Sequence, residues 1–327
     1  MFQTARLVCL SLALLLVRDQ RLFSQSSRES LWLAGRYDRT RLVVYFQAVK
    51  FKDAFPTGAR SIAPPIADAF FTPRVVPPSS VTKFQQGPGA ERFAIGDRYD
   101  VLLGNGRTGT ITLRTLVAFE NDEFVGNDSY IGALGVLATE DLPFLAGDYF
   151  VVRRHHAGAA VPNGPTGQPA IFSRLVNDPV SQDVQAEVTA LLRKRLTTGV
   201  GVPAAIQNEI SRTQPSGLRL QQLRLVDGSL RYYVWAEFRL RETCLAASAW
   251  VGTQPLRITA IEEPTCELNG LDPVQPRIRN VVDFGERRVG LIVDFQGGDG
   301  RSLQLLEYRD GVGLTDMQSL HSLSAGE

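Results

Sequence analysis

Apolar and polar residues alternate along several stretches of this chain. In RFAIGDRYDVLL (92–103), Phe93, Ile95, Tyr99, Val101 and Leu103 fall on one side. In TITLRTLVAF (110–119), Ile111, Leu113, Val117 and Phe119 oppose Thr110, Thr112 and Arg114. A period of two predicts strands with one buried and one solvated face. RLVVYFQAV (41–49), YIGALGVLA (130–138) and DYFVVRRH (148–155) are more evenly apolar and bring the set to at least five strands. Between the first two lies FPTGARSIAPPIADAFFTPRVVPPSSV, whose prolines exclude it from a central strand. It reads as a long ordered loop with one helical turn near 66–71.

The pattern breaks at AGAAVPNGPTGQPA (157–170), where Gly, Pro and Ala dominate. Beyond it comes the one strong helical signal. Asp178 is placed to cap it, Pro179 suits its first turn, and Val180, Val184, Val188, Leu191, Leu192 and Leu196 form an apolar stripe. Asp183 and Glu187 early, and Arg193, Lys194 and Arg195 late, complement the helix dipole. A shorter helix is expected over 203–210. LRLQQLRLV and SLRYYVWAEFRLR, joined by Asp227-Gly228, make the clearest hairpin, and strands follow over 256–262, 288–295 and 302–308. The fold class expected is mainly β with an α+β part. An N-terminal antiparallel β-sandwich or open barrel (29–156) is joined by a linker (157–176) to an α+β domain with an antiparallel sheet (177–315). Residues 316–327 read as a frayed tail.

Composition adds a compartment to this picture. The 327-residue chain is 44% hydrophobic and 21% charged, the balance of a globular protein. A formal net charge of +1 gives no long-range attraction to nucleic acid, so no nucleic-acid partner is expected. Basic charge is almost all arginine, with lysine only at Lys50, Lys52, Lys83 and Lys194. At the N-terminus, Arg6 precedes an apolar run from Leu7 to Val17. A bilayer-spanning helix takes about 20 residues, whereas a signal-peptide core takes roughly 7–15. Residues 1–26 are therefore expected to direct export to the periplasm or the cell exterior, with no membrane span in the mature chain. Their removal leaves Cys244 and Cys266, an even pair expected to form a disulfide in an oxidising compartment. Closing that loop stabilises the fold by about 3 kcal/mol in the chain-entropy picture.

Candidate chemistry concentrates in FENDEFVGNDSYIG (119–132), which sets Glu120, Asp122, Glu123, Asn127 and Asp128 between two strands. Calcium takes six to eight oxygen ligands and is the one cofactor this loop suggests. The helix–loop–helix calcium register fails, because with Asn121 first, Gly132 stands where a twelfth-position glutamate is required. Glu120 and Glu123 also offer an acid/base pair for glycoside hydrolysis, which needs carboxyls roughly 5–10 Å apart. The simplest reading is a solvated hairpin connection, with neither catalytic residues nor a metal assigned. GNGRTG satisfies G-x-G-x-x-G through Gly104, Gly106 and Gly109, but a strand follows where phosphate binding needs a helix. Asn105-Gly106 is the signature of a hairpin turn. His155 and His156, adjacent on a strand, point to opposite faces and cannot readily grip one ion. The chain has no G-x-S-x-G and no C-x-x-C.

VVDFG before GERRVGLIVDF (from 281) resembles the Asp-rich loop and strand of FG-GAP repeats, secreted repeats whose loop carboxylates bind calcium. Between 283 and 288 only Asp283 and Glu286 remain of that carboxylate set, so the resemblance carries no metal here. Together these features lead to an exported, non-catalytic binding or envelope-associated protein whose partner is an unidentified protein or glycan. The rivals are a secreted or periplasmic hydrolase using residues 120–128 with a histidine, and an adhesion module built on the worn repeat.

Overall fold

The computed structural model describes residues 30–38, 40–49, 60–61, 73–86, 91–102, 108–119, 129–138, 149–155, 174–176, 180–199, 202–225, 228–241, 243–262, 274–285, 288–297 and 300–325. The first block is an antiparallel barrel. Strands β1 (Leu31–Arg36), β2 (Arg41–Val49), β5 (Arg98–Leu102), β6 (Thr108–Phe119), β7 (Ser129–Leu137) and β8 (Tyr149–Arg154) pair in the ring β1-β2-β7-β6-β5-β8, which β8–β1 pairing closes. Short strands β3 (Arg60–Ser61) and β4 (Pro73–Val75) extend from the distal part of β6. Helix α1 (Pro78–Phe84) starts with proline in its first turn, where no amide partner is required, and lays Val81 and Phe84 against the barrel interior.

The evenly apolar strands owe their composition to burial on both faces. Inside the barrel lie Trp32, Phe46, Phe93, Tyr99, Ile111 and Phe150 among others. Outside it, Leu33, Val43, Tyr45, Tyr149 and Val151 pack on Val282, Ile292, Leu303, Leu305 and Leu323. Those last residues belong to a four-stranded meander, β14 (Gln275–Gly285), β15 (Arg288–Gly297), β16 (Gly300–Glu307) and β17 (Gln318–Ala325). The opposite face of the meander, with Val281, Leu291 and Val293, packs on Leu223, Tyr233 and Trp250. These come from a five-stranded antiparallel sheet of β9 (Arg174–Val176), β10 (Gly217–Arg224), β11 (Leu230–Arg239), β12 (Cys244–Thr253) and β13 (Leu256–Ile261). Its far face carries α2 (Gln182–Thr198) and α3 (Ala204–Arg212) through Val188, Leu192, Leu196 and Ile210. The order is thus barrel, meander, sheet, helices, and Leu31–Glu327 forms one compact unit. Each fully buried aliphatic side chain in these layers contributes roughly 1.5–3 kcal/mol.

The β-rich class with antiparallel sheets and two helices after the midpoint is as the periodicity predicts. Several details differ. A bulge between Leu113 and Thr115 reverses the facing of β6, so Ile111 and Leu113 point inward while Val117 points to the meander and Leu116 and Ala118 take over inside. Ile95 is 53% exposed, off the buried face of Phe93 and Tyr99. Gly96, at φ +96°, makes a turn there, and Asp97 Oδ2 accepts from Ala94 N at 2.9 Å. Helix α2 begins later than expected, because Ser181 Oγ accepts from Val184 N and caps it; residues 178–179 lie outside the described residues. The tail expected to fray is strand β17, because Leu323 is fully buried against the barrel. Most of the expected linker lies outside the described residues, and its last three residues form β9, which pairs with β10. The helical turn expected near 66–71 also lies outside them.

Candidate functional site

Side chains fill the described interior of the barrel. Trp32 and Tyr99 meet edge-on at 5.6 Å, Phe46 stacks on Phe93 at 4.1 Å, and a Cβ at Gly135 would come within 2.9 Å of Ile111. A six-stranded ring is narrow enough for side chains alone to fill it. At its rim, Asp100 on β5 holds His155 Nδ1 at 2.7 Å, with Arg153 Nε at 3.7 Å. A carboxylate that orients an imidazole is half of a catalytic relay, and no serine or cysteine stands with this pair among the described residues. His156 lies outside the described residues.

Two carboxylates, the buried Asp294 and the half-buried Glu262, are shifted in opposite directions. Asp294 on β15 has zero exposure, and both of its oxygens accept from guanidinium groups. Arg301 Nε and Nη2 donate at 2.7 and 2.9 Å, and Arg279 Nε at 2.8 Å. Burial pushes the carboxyl up, but the hydrogen bonds and charges of Arg301 and Arg279 outweigh it and hold the pKa below the ordinary range. Glu262, just after β13, behaves in the opposite way. Burial raises its pKa above the ordinary 4.5, against hydrogen bonds from Ser248 Oγ and Leu314 N. Asp294 ties three strands of the meander together, and Glu262 ties the second sheet to the β16–β17 connection.

Open space lies at one end of the five-stranded sheet. A pocket of about 550 Å³ is lined by Arg224, Ser229, Arg231, Gly252, Arg257 and Asp310, together with the β12–β13 turn. The ladder explains how these residues meet. Arg231 on β11 pairs across with Gly252 on β12, and Gly252 pairs with Arg257 on β13, so the three form one row on one face. The β10–β11 hairpin, with Gly228 at φ +80°, brings Arg224 and Ser229 over this row. Asp310 arrives from the β16–β17 connection of the meander. It accepts from Arg231 Nε and Nη2 at 3.3 and 3.0 Å and from Tyr308 OH at 2.9 Å. The Arg231 contact holds the Asp310 carboxyl below its ordinary range despite its partial burial. Arg224 Nη1 donates to Gly228 O at 3.3 Å. The Arg257 side chain has no hydrogen bond or ion pair with any described residue.

The residues singled out in the sequence fall elsewhere. Glu120, Asp122, Glu123, Asn127 and Asp128 lie outside the described residues; the ladder ending at Phe119↔Tyr130 makes their segment the connection of the β6–β7 hairpin. The glycine-rich segment likewise joins β5 to β6, whose ladder reaches Leu102↔Thr108. Cys244 opens β12, half-buried, while Cys266 lies outside the described residues. Of the FG-GAP-like stretch, residues 281–285 and 288–295 form the β14–β15 hairpin of the meander, between the barrel and the second sheet. No group of three or more His, Cys, Asp or Glu able to hold a metal occurs among the described residues, and no described helix is long and apolar enough to cross a membrane. The pocket arginines escape a sequence reading because they come from three strands. Their one linear signal is that Arg224, Arg231 and Arg257 each flank a tight hairpin connection.

The protein so defined is a layered, antiparallel β-rich protein with a closed six-stranded barrel and a polar, arginine-lined pocket. Comparison with protein-family models, with curated proteins and with solved structures finds no match for this chain.

Proposed function

We propose that this chain is an exported, non-catalytic binding module whose ligand, part of a protein or a glycan, seats in the pocket at the end of the five-stranded sheet. The pocket carries the reading: it is of ligand size, it opens to solvent, and it is walled by hydrogen-bonding groups on rigid strands. Its described lining holds guanidinium groups, hydroxyls and one carboxylate already engaged by Arg231, a set suited to holding rather than to proton transfer. The N-terminal apolar segment supports export, and a Cys244–Cys266 bridge fits an oxidising compartment. The test is a thermal-shift screen of the mature protein against oligosaccharides and peptides, repeated with Gly252→Leu. A Cβ at Gly252 meets its nearest atom at 3.5 Å, an ordinary contact, so a side chain can start from this position toward the pocket floor, and the unliganded melting temperature of the variant checks that the fold accepts it. A ligand that stabilises the wild type and not the variant supports the reading; a ligand indifferent to the filled floor, or mature protein retained in the cytoplasm on fractionation, refutes it.

A hydrolytic role is the second reading, favoured by the Asp100–His155 contact at 2.7 Å at the barrel rim. It requires turnover of a substrate that His155→Ala removes. Calcium in the 120–128 connection would appear as a calorimetric binding heat that Asp122→Ala abolishes.

A further inference from the structure

The pocket's geometry points to one ligand chemistry: we infer that it is a receptor for a compact oxyanion, a sulfate, phosphate or carboxylate group, gripped between Arg231 and Arg257 across the bare backbone of Gly252. This rests on the binding reading above and narrows it.

Neighbouring strands lie about 4.8 Å apart, so two steps across the ladder place the Arg231 and Arg257 backbones about 10 Å from each other on the same face. The residue between them has no side chain. Arg257 thus offers a whole guanidinium on this face, while Arg231, with Nε and Nη2 on Asp310 and Nη1 donating to Leu230 O, offers its remaining outer N–H groups to an oxyanion seated between the two. Arg231 is held in place by its two contacts to Asp310, which Tyr308 OH holds in turn. Arg257 has no counter-charge among the described residues, and Arg224 lines the pocket at the hairpin end, its Nη1 donating to Gly228 O. The described lining thus holds three guanidiniums against one carboxylate, a local excess of two positive charges on a chain whose overall net charge is +1. Like charges held near one another at the end of a sheet repel, and an oxyanion relieves that repulsion while accepting bidentate hydrogen bonds from Arg257. The hydroxyls of Thr253 and Thr259 also line the pocket, each donating to a backbone carbonyl, of Leu230 and Trp250 respectively. The lining has no aromatic ring on which the apolar face of a sugar could stack, so charge recognition is the mode this surface supports.

The experiment is calorimetry and thermal unfolding of the mature protein with inorganic sulfate or phosphate, at ionic strength held constant with chloride, on wild type, Arg257→Ala, Arg257→Lys and Gly252→Leu. Saturable binding is expected in the wild type. Affinity should fall tenfold or more in Arg257→Ala, partly recover in Arg257→Lys, and be lost in Gly252→Leu, with the unliganded melting temperature nearly unchanged in all three. A sulfated oligosaccharide and its desulfated counterpart separate the sources. Tighter binding of the sulfated sugar than of inorganic sulfate assigns the site to an ester group, and equal binding assigns it to the free ion. Stabilisation that is equal in chloride, or unaffected by Arg257→Ala, overturns the inference. A neutral ligand that Gly252→Leu blocks and Arg257→Ala leaves unweakened overturns the oxyanion while leaving the binding module standing.

Discussion

Asp294 shows how single side chains hold this fold together. It is the most buried charge among the described residues, and its two arginine partners bring the 278–280 bulge of β14 and the start of β16 onto one carboxylate. Asp294→Ala would leave two guanidiniums without their shared counter-charge, and a loss of about 3–5 kcal/mol in urea-unfolding free energy is expected. Because its pKa is depressed in the folded state, its contribution is full above 3.8 and is lost as pH falls below that value. His321 acts at milder acidity. On β17 it shares the buried face of Leu305, and burial lowers its pKa from 6.5 to about 4. The folded state therefore favours neutral imidazole, and that stability, full above pH 6.5, is lost as pH falls toward 4. Glu262 has the opposite sign: its raised pKa makes its contribution full below 4.5, and the contribution is lost as pH climbs through the folded-state value. Unfolding free energies measured from pH 4 to 7.5 should thus lose their acid-side decline in His321→Gln and their alkaline-side decline in Glu262→Gln.

Among the elements, strand type was readable where one face is wet and ambiguous where neither is. The alternation in β6 is plain in the sequence, yet the bulge beside Arg114 reverses it halfway, and Val117 exchanges the barrel interior for the meander. A bulge inserts a residue without changing composition, so the linear pattern carries no mark of it. β17 escaped for a related reason. Ser, His and Gln dilute its apolar residues, and only the neighbouring β16 and the barrel give Leu323 a place to be buried. Truncation after Asp316 would uncover β16 and Leu303, and a cooperative transition at least ~10 °C lower, or its absence, is expected by calorimetry. Gly290 offers a sharper test of packing at the meander. A Cβ there would fall 2.3 Å from Phe284 Cζ, so Gly290→Ala should cost about 1–3 kcal/mol, and Phe284→Leu should recover part of it.

Across the whole molecule, two apolar faces of the meander bind the barrel on one side and the helix-backed sheet on the other. The barrel's outer wall, with Leu33, Val43, Tyr45 and Val151, is as apolar as its interior. A fragment of residues 31–155 expressed alone would expose that wall, and self-association by light scattering is expected instead of a monodisperse monomer. The sequence by itself determined the strands of clear alternation or apolar run and the two later helices, since periodicity is local and depends on near neighbours in the chain, but β1, β12, most of β14 and β17 carried no such mark. Only the tertiary structure decided that the first sheet closes on itself, that the halves meet through a shared meander, and that Arg231, Gly252 and Arg257 line up beside Asp310. Those outcomes depend on register between strands and on faces brought together from distant parts of the chain, and no local pattern encodes which arginine will lie across which glycine.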